Sequence, residues 1–160
     1  MGISRTKVTE ILDAHKISYK IIPHVEPVFT VEAVAEQRDV AKEDIVKSIL
    51  LRDKNDRYVM ACVPGNARLD PKAVRMYLPK EWKRLHFATT EEILAVIGQI
   101  KGAVTPVGLP NDVPVIIDAS IACRKKVNIS SGDPTAGLEL DPKDLVKAAA
   151  AQLAPIAEAK

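Results

Sequence analysis

Two cysteines and three histidines leave this chain little with which to hold a metal ion. Cys62 and Cys123 lie far apart and lack the spacing of a zinc site or a redox pair. Both are expected to be buried thiols in a reducing compartment. His15, His24 and His86 show no paired ligand spacing either. Neither a metal nor a cofactor is therefore expected. No glycine-rich nucleotide fingerprint follows a strand, and no phosphate loop of the Walker type occurs. The Gly-x-Ser-x-Gly elbow that presents a nucleophilic serine is missing too. No apolar run approaches the roughly 20 residues needed to cross a bilayer. Met1 to Leu12 lacks the apolar core of a signal peptide. These absences predict a cytoplasmic protein with no membrane partner. The formal net charge is only +2, so any contact with nucleic acid must be local rather than a property of the whole surface.

What is present is the composition of a globular protein, with 47% hydrophobic and 28% charged residues. A length of 160 residues suits one domain spanning 1–160 and buries a core without disulfides. Ser4 opens a segment with Val8, Ile11 and Leu12 at helical spacing, which predicts an amphipathic helix to Lys16. Ile17 to Ile22 reads as a short strand ending at Pro23. Thr30 caps a second helix. Ile45 to Leu51 and Tyr58 to Val63 flank a polar stretch and form the clearest hairpin, closed by Pro64-Gly65. Asp70-Pro71 starts a helix to about Leu78. Thr89 or Thr90 caps another, with Ile93, Leu94 and Ile97 inward and Gly98 as its stop. Strands are expected at Val113 to Ile117, Lys126 to Ile129 and Leu138 to Leu140. A last helix opens at Asp141-Pro142 and continues through Ala148 to Ala151. Helices and strands alternate without a βαβ rhythm, which predicts an α+β fold with a mixed, mostly antiparallel sheet.

Four places could carry chemistry. Lys47 sits in Ile45-Val-Lys-Ser-Ile-Leu-Leu51, an otherwise apolar strand. An unpaired buried ammonium is costly, so Lys47 must emerge into a cleft or at a solvent edge. It is either a surface lysine of an edge strand or a cation that anchors a carbonyl, phosphate or ribose oxygen. In Lys101-Gly-Ala-Val-Thr-Pro-Val-Gly108, Gly102 offers no side chain to obstruct a ligand and Pro106 stiffens the turn. Exposed amides there can polarise a carbonyl or hold a water, although an ordinary helix-to-strand loop accounts for the pattern equally. His24, Pro27 and Thr30 precede the second helix, where Thr30 also serves as a cap. The turn Ser131-Gly-Asp-Pro134 needs no function to explain it.

Taken in order, these segments resemble the YbaK and prolyl-tRNA-editing family. The resemblance is carried by His24 through Thr30-Val-Glu-Ala-Val-Ala, by Ile45-Val-Lys-Ser-Ile-Leu-Leu, and by Gly102-Ala-Val-Thr-Pro-Val-Gly. The closing Leu138-Glu-Leu-Asp-Pro-Lys-Asp-Leu145 matches as well. It implies a strongly bent central sheet packed by helices. It also implies hydrolysis of the ester linking an amino acid to the terminal adenosine of tRNA, with the vicinal ribose hydroxyl assisting a water.

By that resemblance Lys47 and Gly102 are the catalytic positions. His24, Thr30, Ala103, Val104, Thr105, Pro106 and Asp133 are substrate-binding, and Val28, Phe29 and Val104 shape a small amino-acid pocket. The implied partners are a mischarged aminoacyl-tRNA, through its 3′-terminal adenosine and acceptor stem, and an aminoacyl-tRNA synthetase. The implied substrate is a small amino acid such as cysteine or alanine on a non-cognate tRNA such as that for proline. Asp133 stands where several prolyl-tRNA-editing members carry histidine, so the amino acid removed stays open. A non-catalytic module that binds aminoacyl-tRNA or a synthetase is the alternative. The basic clusters Lys80 to Arg84 and Arg124 to Lys126 are either contacts for the acceptor stem or solvated faces.

Overall fold

The computed structural model describes residues 6–23, 30–38, 40–100 and 102–158. Helix α1 is Lys7–Ala14, and its cap is Thr6 rather than Ser4, which lies outside the described residues. Thr6 accepts from the Thr9 amide at 3.2 Å while the Thr6 amide donates back to Thr9 Oγ1 at 3.0 Å. This reciprocal pair satisfies two donors that a helix start leaves bare. Strand β1 (Tyr19–Pro23) and helix α2 (Val31–Arg38) follow.

The predicted hairpin is β2 (Val46–Arg52) and β3 (Tyr58–Pro64), antiparallel with Lys47 opposite Val63 and Leu51 opposite Val59. Its polar turn is anchored from inside. Asp53 is fully buried, and its carboxylate accepts from the Asn55 and Arg57 amides at 2.9 Å and from the Lys83 amide at 3.3 Å. Helix α3 (Pro71–Met76) is capped by Asp70 and stops two residues before Leu78. Helix α4 (Thr90–Ile97) has Thr89 as cap and Gly98 in the left-handed region as stop. Leu94 does not face inward: it is 56% exposed, and Ile93, Val96 and Ile97 pack on the core instead.

Strands β5 (Val115–Asp118), β6 (Val127–Ser130) and β7 (Ala136–Leu140) and helix α5 (Pro142–Ala149) fall close to the predicted segments. Two strands carried no sequence signal. These are β4 (His86–Phe87), which pairs with the end of β2, and β8 (Gln152–Ala154), which begins just after the expected end of the last helix and pairs with β5. Two or three residues cannot display a period; they become strands because an existing edge offers them partners.

The strands form a five-stranded sheet, ordered β4-β2-β3-β5-β8, and a three-stranded sheet, ordered β1-β7-β6. Pairs β3–β5 and β5–β8 are parallel and the remaining four are antiparallel, so the fold is α+β and mostly antiparallel as expected. Among the described residues the two sheets are joined by one isolated parallel bridge, Ile45 to Asn128. Between them lies the larger apolar cluster, in which Leu50, Met60 and Ile117 pack with Leu12, Ile129 and Leu138. The other face of the five-stranded sheet carries a second cluster built on Leu51, Ala61, Val63, Trp82 and Ile116. Among the described residues no helix is long and apolar enough to cross a membrane.

Cys62 is buried as expected, and burial pushes its thiol up to about 12, against the pull of the Ser48 hydroxyl. Cys123 is exposed, not buried, because it ends a short 3-10 turn (Ala119–Cys123) in which Ile121 is the residue that points inward.

The C-terminal segment is fastened by one carboxylate. Asp118, buried at the end of β5, accepts from the Ile156 amide at 2.8 Å and the Ala157 amide at 3.0 Å. The Ser120 amide and hydroxyl occupy its other oxygen. Burial pushes this carboxyl up, but the Ser120 hydroxyl and the amide donors prevail and hold it below the ordinary carboxylate value. A carboxylate depressed in the folded state contributes stability above its unfolded pKa and loses it as pH falls through the folded one. Asp118→Asn should therefore cost roughly 2 kcal/mol near neutral pH. Urea denaturation of both proteins should show the gap closing in acid, where the native carboxylate is protonated. A gap independent of pH would contradict this role.

Candidate functional site

Alternation along β2 decides where Lys47 goes. Val46 and Leu50 join the cluster between the sheets, so Lys47 shares the opposite face with Leu51. Toward the start of the strand the edge of β2 is no longer flanked by β4, which pairs only with Leu51 and Arg52. Lys47 is half-buried there, and its Nζ donates to the Ala67 carbonyl at 2.6 Å. Burial holds its pKa below the ordinary lysine value; Glu32 pulls upward against this and Arg68 pushes the same way as burial.

The ammonium lines a cavity of ≈ 600 Å³ with Lys42, Arg68, Glu32, Ile49 and Phe87. Three cations face one carboxylate there, and Phe87 is 59% exposed. Such a site suits an anionic ligand that also has a flat face to stack.

Gly65 makes this cavity possible. Its amide donates to the Lys42 and Ile45 carbonyls at 3.1 and 2.8 Å. A Cβ at this position would lie 2.8 Å from the Lys42 carbonyl oxygen and 2.9 Å from Val31 Cγ1. Only a residue without a side chain lets α2 and the Lys42 turn approach the end of β3 so closely.

The Gly102 loop is built separately. Gly102 has φ +86° and Gly108 φ +85°, both in the region that favours glycine. Ala103, Thr105 and Pro106 are buried and Val104 is half-buried, with Val104 and Val107 packed on the cluster between the sheets. Gln99 clamps the loop: its Oε1 accepts from the Thr105 amide at 2.8 Å, and its Nε2 donates to the Thr105 carbonyl at 3.1 Å. Sequence reasoning missed Gln99, because a single glutamine after a helix stop carries no pattern. Thr105 Oγ1 is buried without a hydrogen-bond partner among the described residues. Ala103 and Thr105 line a cavity of ≈ 320 Å³ with Ser131, Gly132 and the start of α1.

The structure thus brings the Gly102 loop together with the Ser131-Gly132 turn. Among the described residues, the cavity lined by Lys47 and the cavity lined by the loop have no residue in common. Asp133 is committed within its own turn, where Oδ1 accepts from the Thr135 amide at 2.8 Å and from its hydroxyl at 2.7 Å. Thr30 is exposed and its hydroxyl accepts from the Ala33 amide at 3.0 Å, which is the cap expected of it. His24, Pro27, Val28, Phe29 and Lys101 lie outside the described residues. Among the described residues no group of three or more histidine, cysteine, aspartate or glutamate side chains is placed to hold a metal.

Residues 25–148, which include both Lys47 and the Gly102 loop, match the model of the aminoacyl-tRNA editing domain. This chain belongs to that family. Membership agrees with the resemblance its motifs carry. The prolyl-tRNA editing protein ProX of Acetoanaerobium sticklandii is 32% identical over 142 residues, covering 85% of this chain and 84% of that protein. A proline–tRNA ligase of Thermosipho melanesiensis is 34% identical over 116 residues, 72% of this chain but only 20% of the ligase. The editing-domain fold is therefore similar to one part of a much larger enzyme. Among solved structures, that of the hypothetical protein APE2540 superposes with a TM-score of 0.87 at 27% identity, covering 96% of this chain and 100% of that one.

Gly65→Ala tests how the Lys47 cavity is held open. The new methyl meets backbone that cannot yield without moving the Lys42 turn, so the substitution should cost roughly 1–3 kcal/mol in denaturant. A variant as stable as the parent would show that the turn is free to move.

Proposed function

We propose that this protein is a trans-editing deacylase that hydrolyses the ester of a mischarged aminoacyl-tRNA, releasing the amino acid and a free 3′-terminal ribose hydroxyl. The observation that carries the reading is that one family match spans both Lys47 and the Gly102 loop. The need for such an enzyme is physical. A synthetase pocket separates amino acids that differ by one methylene by only about 1–3 kcal/mol, so a second sieve must remove the errors.

The ester is already activated, so catalysis needs a positioned water and a polarised carbonyl more than a nucleophilic side chain. We assign the two candidate elements different tasks. Lys47, with Lys42 and Arg68 beside it, holds the phosphate and ribose oxygens of the terminal nucleotide, while Phe87 offers a stacking face. The Gly102 loop turns its backbone toward the aminoacyl carbonyl. Ala103, Val104 and Pro106 bound the amino acid, and Thr105 supplies an uncommitted hydroxyl. Thr30 and Asp133 act by fixing the α2 start and the turn beside the substrate, since their own side chains are already bonded. His24 completes the substrate contacts in this reading. The substrate's vicinal ribose hydroxyl positions the water. Attack forms the new C–O bond, the ester C–O bond breaks, and the proton passes to the departing ribose oxygen. A small amino acid on a non-cognate tRNA, alanine or cysteine on the tRNA for proline, is the substrate class assigned. The proposed setting is the cytoplasm, with a synthetase as the source of the error.

Kinetics on alanyl- or cysteinyl-tRNA for proline separates the two tasks. Lys47→Ala should lower kcat/KM mainly by raising KM. Gly102→Ala should lower kcat on the order of 100-fold, because a displacement of about 1 Å at the reacting carbonyl is enough. Alanine at φ +86° also carries backbone strain of roughly 1–2 kcal/mol. Gly98→Ala, with φ +68° and open space where its Cβ would lie, bears a similar backbone penalty outside the loop and serves as the strain control, with kcat retained. Normal turnover by Gly102→Ala, or an equal loss in Gly98→Ala, would remove the loop from the reaction centre.

A further inference from the structure

A third cavity, of ≈ 810 Å³, has almost entirely basic walls. Lys54, Arg75, Lys83 and Arg84 line it, all exposed, and none is held in an ion pair among the described residues. Its one acid, Asp53, is buried and already accepts three amide hydrogen bonds, so its charge is spent on the fold. Arg52 is spent likewise, on Asp56 and Glu92. In a chain of net charge +2, four unpaired cations on one wall are a pronounced local excess.

The wall is also held in shape. The Lys54 amide donates to the Lys83 carbonyl at 3.4 Å, and the Lys83 amide donates to Asp53. These bonds tie the β2–β3 turn to the segment before β4. Beneath it Trp82 is buried, with the Arg57 guanidinium 6.0 Å from its ring. The run Lys80 to Arg84 is therefore anchored backbone carrying fixed charges, and not a loosely solvated face. The other basic cluster differs, since Arg124 is neutralised by Asp44 at 2.6 Å. Position matters as well. Strand β4 joins the two cavities, with His86 lining the basic one and Phe87 the Lys47 one. A chain of phosphates ending at Lys47 would continue past β4 onto Lys54, Lys83, Arg84 and Arg75.

We propose that this groove docks the sugar–phosphate backbone of the tRNA acceptor stem, reading charge spacing rather than base identity. The proposal rests on the deacylase reading for its partner but is tested without catalysis. Fluorescence anisotropy with deacylated tRNA, and with a hairpin of the acceptor stem alone, measures binding directly. Four phosphate contacts predict that affinity falls on the order of 100-fold between about 50 and about 200 mM salt. The double variant Lys83→Ala/Arg84→Ala should bind on the order of tenfold or more weakly at the lower salt. Its affinity should fall only about tenfold over the same salt range. Lys125→Ala/Lys126→Ala, on the other cluster, should match the parent. Circular dichroism and urea denaturation identify any misfolded variant, and Lys54→Ala/Arg75→Ala gives an independent second pair. Unchanged tRNA affinity and salt slope in both folded pairs would overturn the proposal. Phosphatidylserine vesicles serve as the alternative polyanion, and vesicle binding that is lost in these pairs while tRNA binding stays intact would overturn it too. A protein that binds tRNA through this groove yet hydrolyses no ester would refute the deacylase reading and leave the groove standing.

Discussion

A strand must send alternate side chains to opposite faces, and β2 lies where the two faces meet different surroundings. Val46 and Leu50 enter the cluster between the two sheets, and Leu51 enters the cluster on the far side. Lys47 follows the pleat to that far side, at the end of the strand that β4 does not reach. Its ammonium finds the Ala67 carbonyl and leaves the rest of its donors to the cavity. A one-residue slip in the β2–β3 register would turn Lys47 into the apolar interior, where an unpaired charge is prohibitive. The hairpin register, the Gly65 contact and the Asp53 turn thus serve one placement.

Among the described residues Lys47 and the Gly102 loop line different cavities. The proposed division of labour follows that arrangement. One element holds the nucleotide by charge, which tolerates distance and some looseness. The other presents backbone to the reacting carbon, which tolerates neither. Rigidity is distributed accordingly: the loop is clamped by Gln99 and buried at Ala103, Thr105 and Pro106, whereas Lys42 and Arg68 are exposed.

Much of this was legible in the sequence, for identifiable reasons. The β2–β3 hairpin showed because apolar β-branched runs flank a charged turn. The caps at Asp70, Thr89 and Asp141 showed because a short polar side chain before a helical pattern has a definite task. Lys47 stood out because a charge in an apolar run demands an exit. What was hidden depends on partners far along the chain. Asp53 looked like one more polar turn residue until Lys83 was placed against it. β4 and β8 exist only as partners of other strands. Gln99 acts through a peptide six residues on, and Cys123 is exposed through the path of a 3-10 turn that no periodicity announces.

The central claim is that the protein breaks an ester rather than merely binding its owner. Single-turnover deacylation, with protein in excess over a panel of charged tRNAs, tests it most directly. The account predicts selective hydrolysis, well above the buffer rate, for one or a few tRNAs carrying a small non-cognate amino acid, with correctly charged partners spared. Binding across the panel with every ester decaying at the buffer rate would contradict it and leave a binding module in its place.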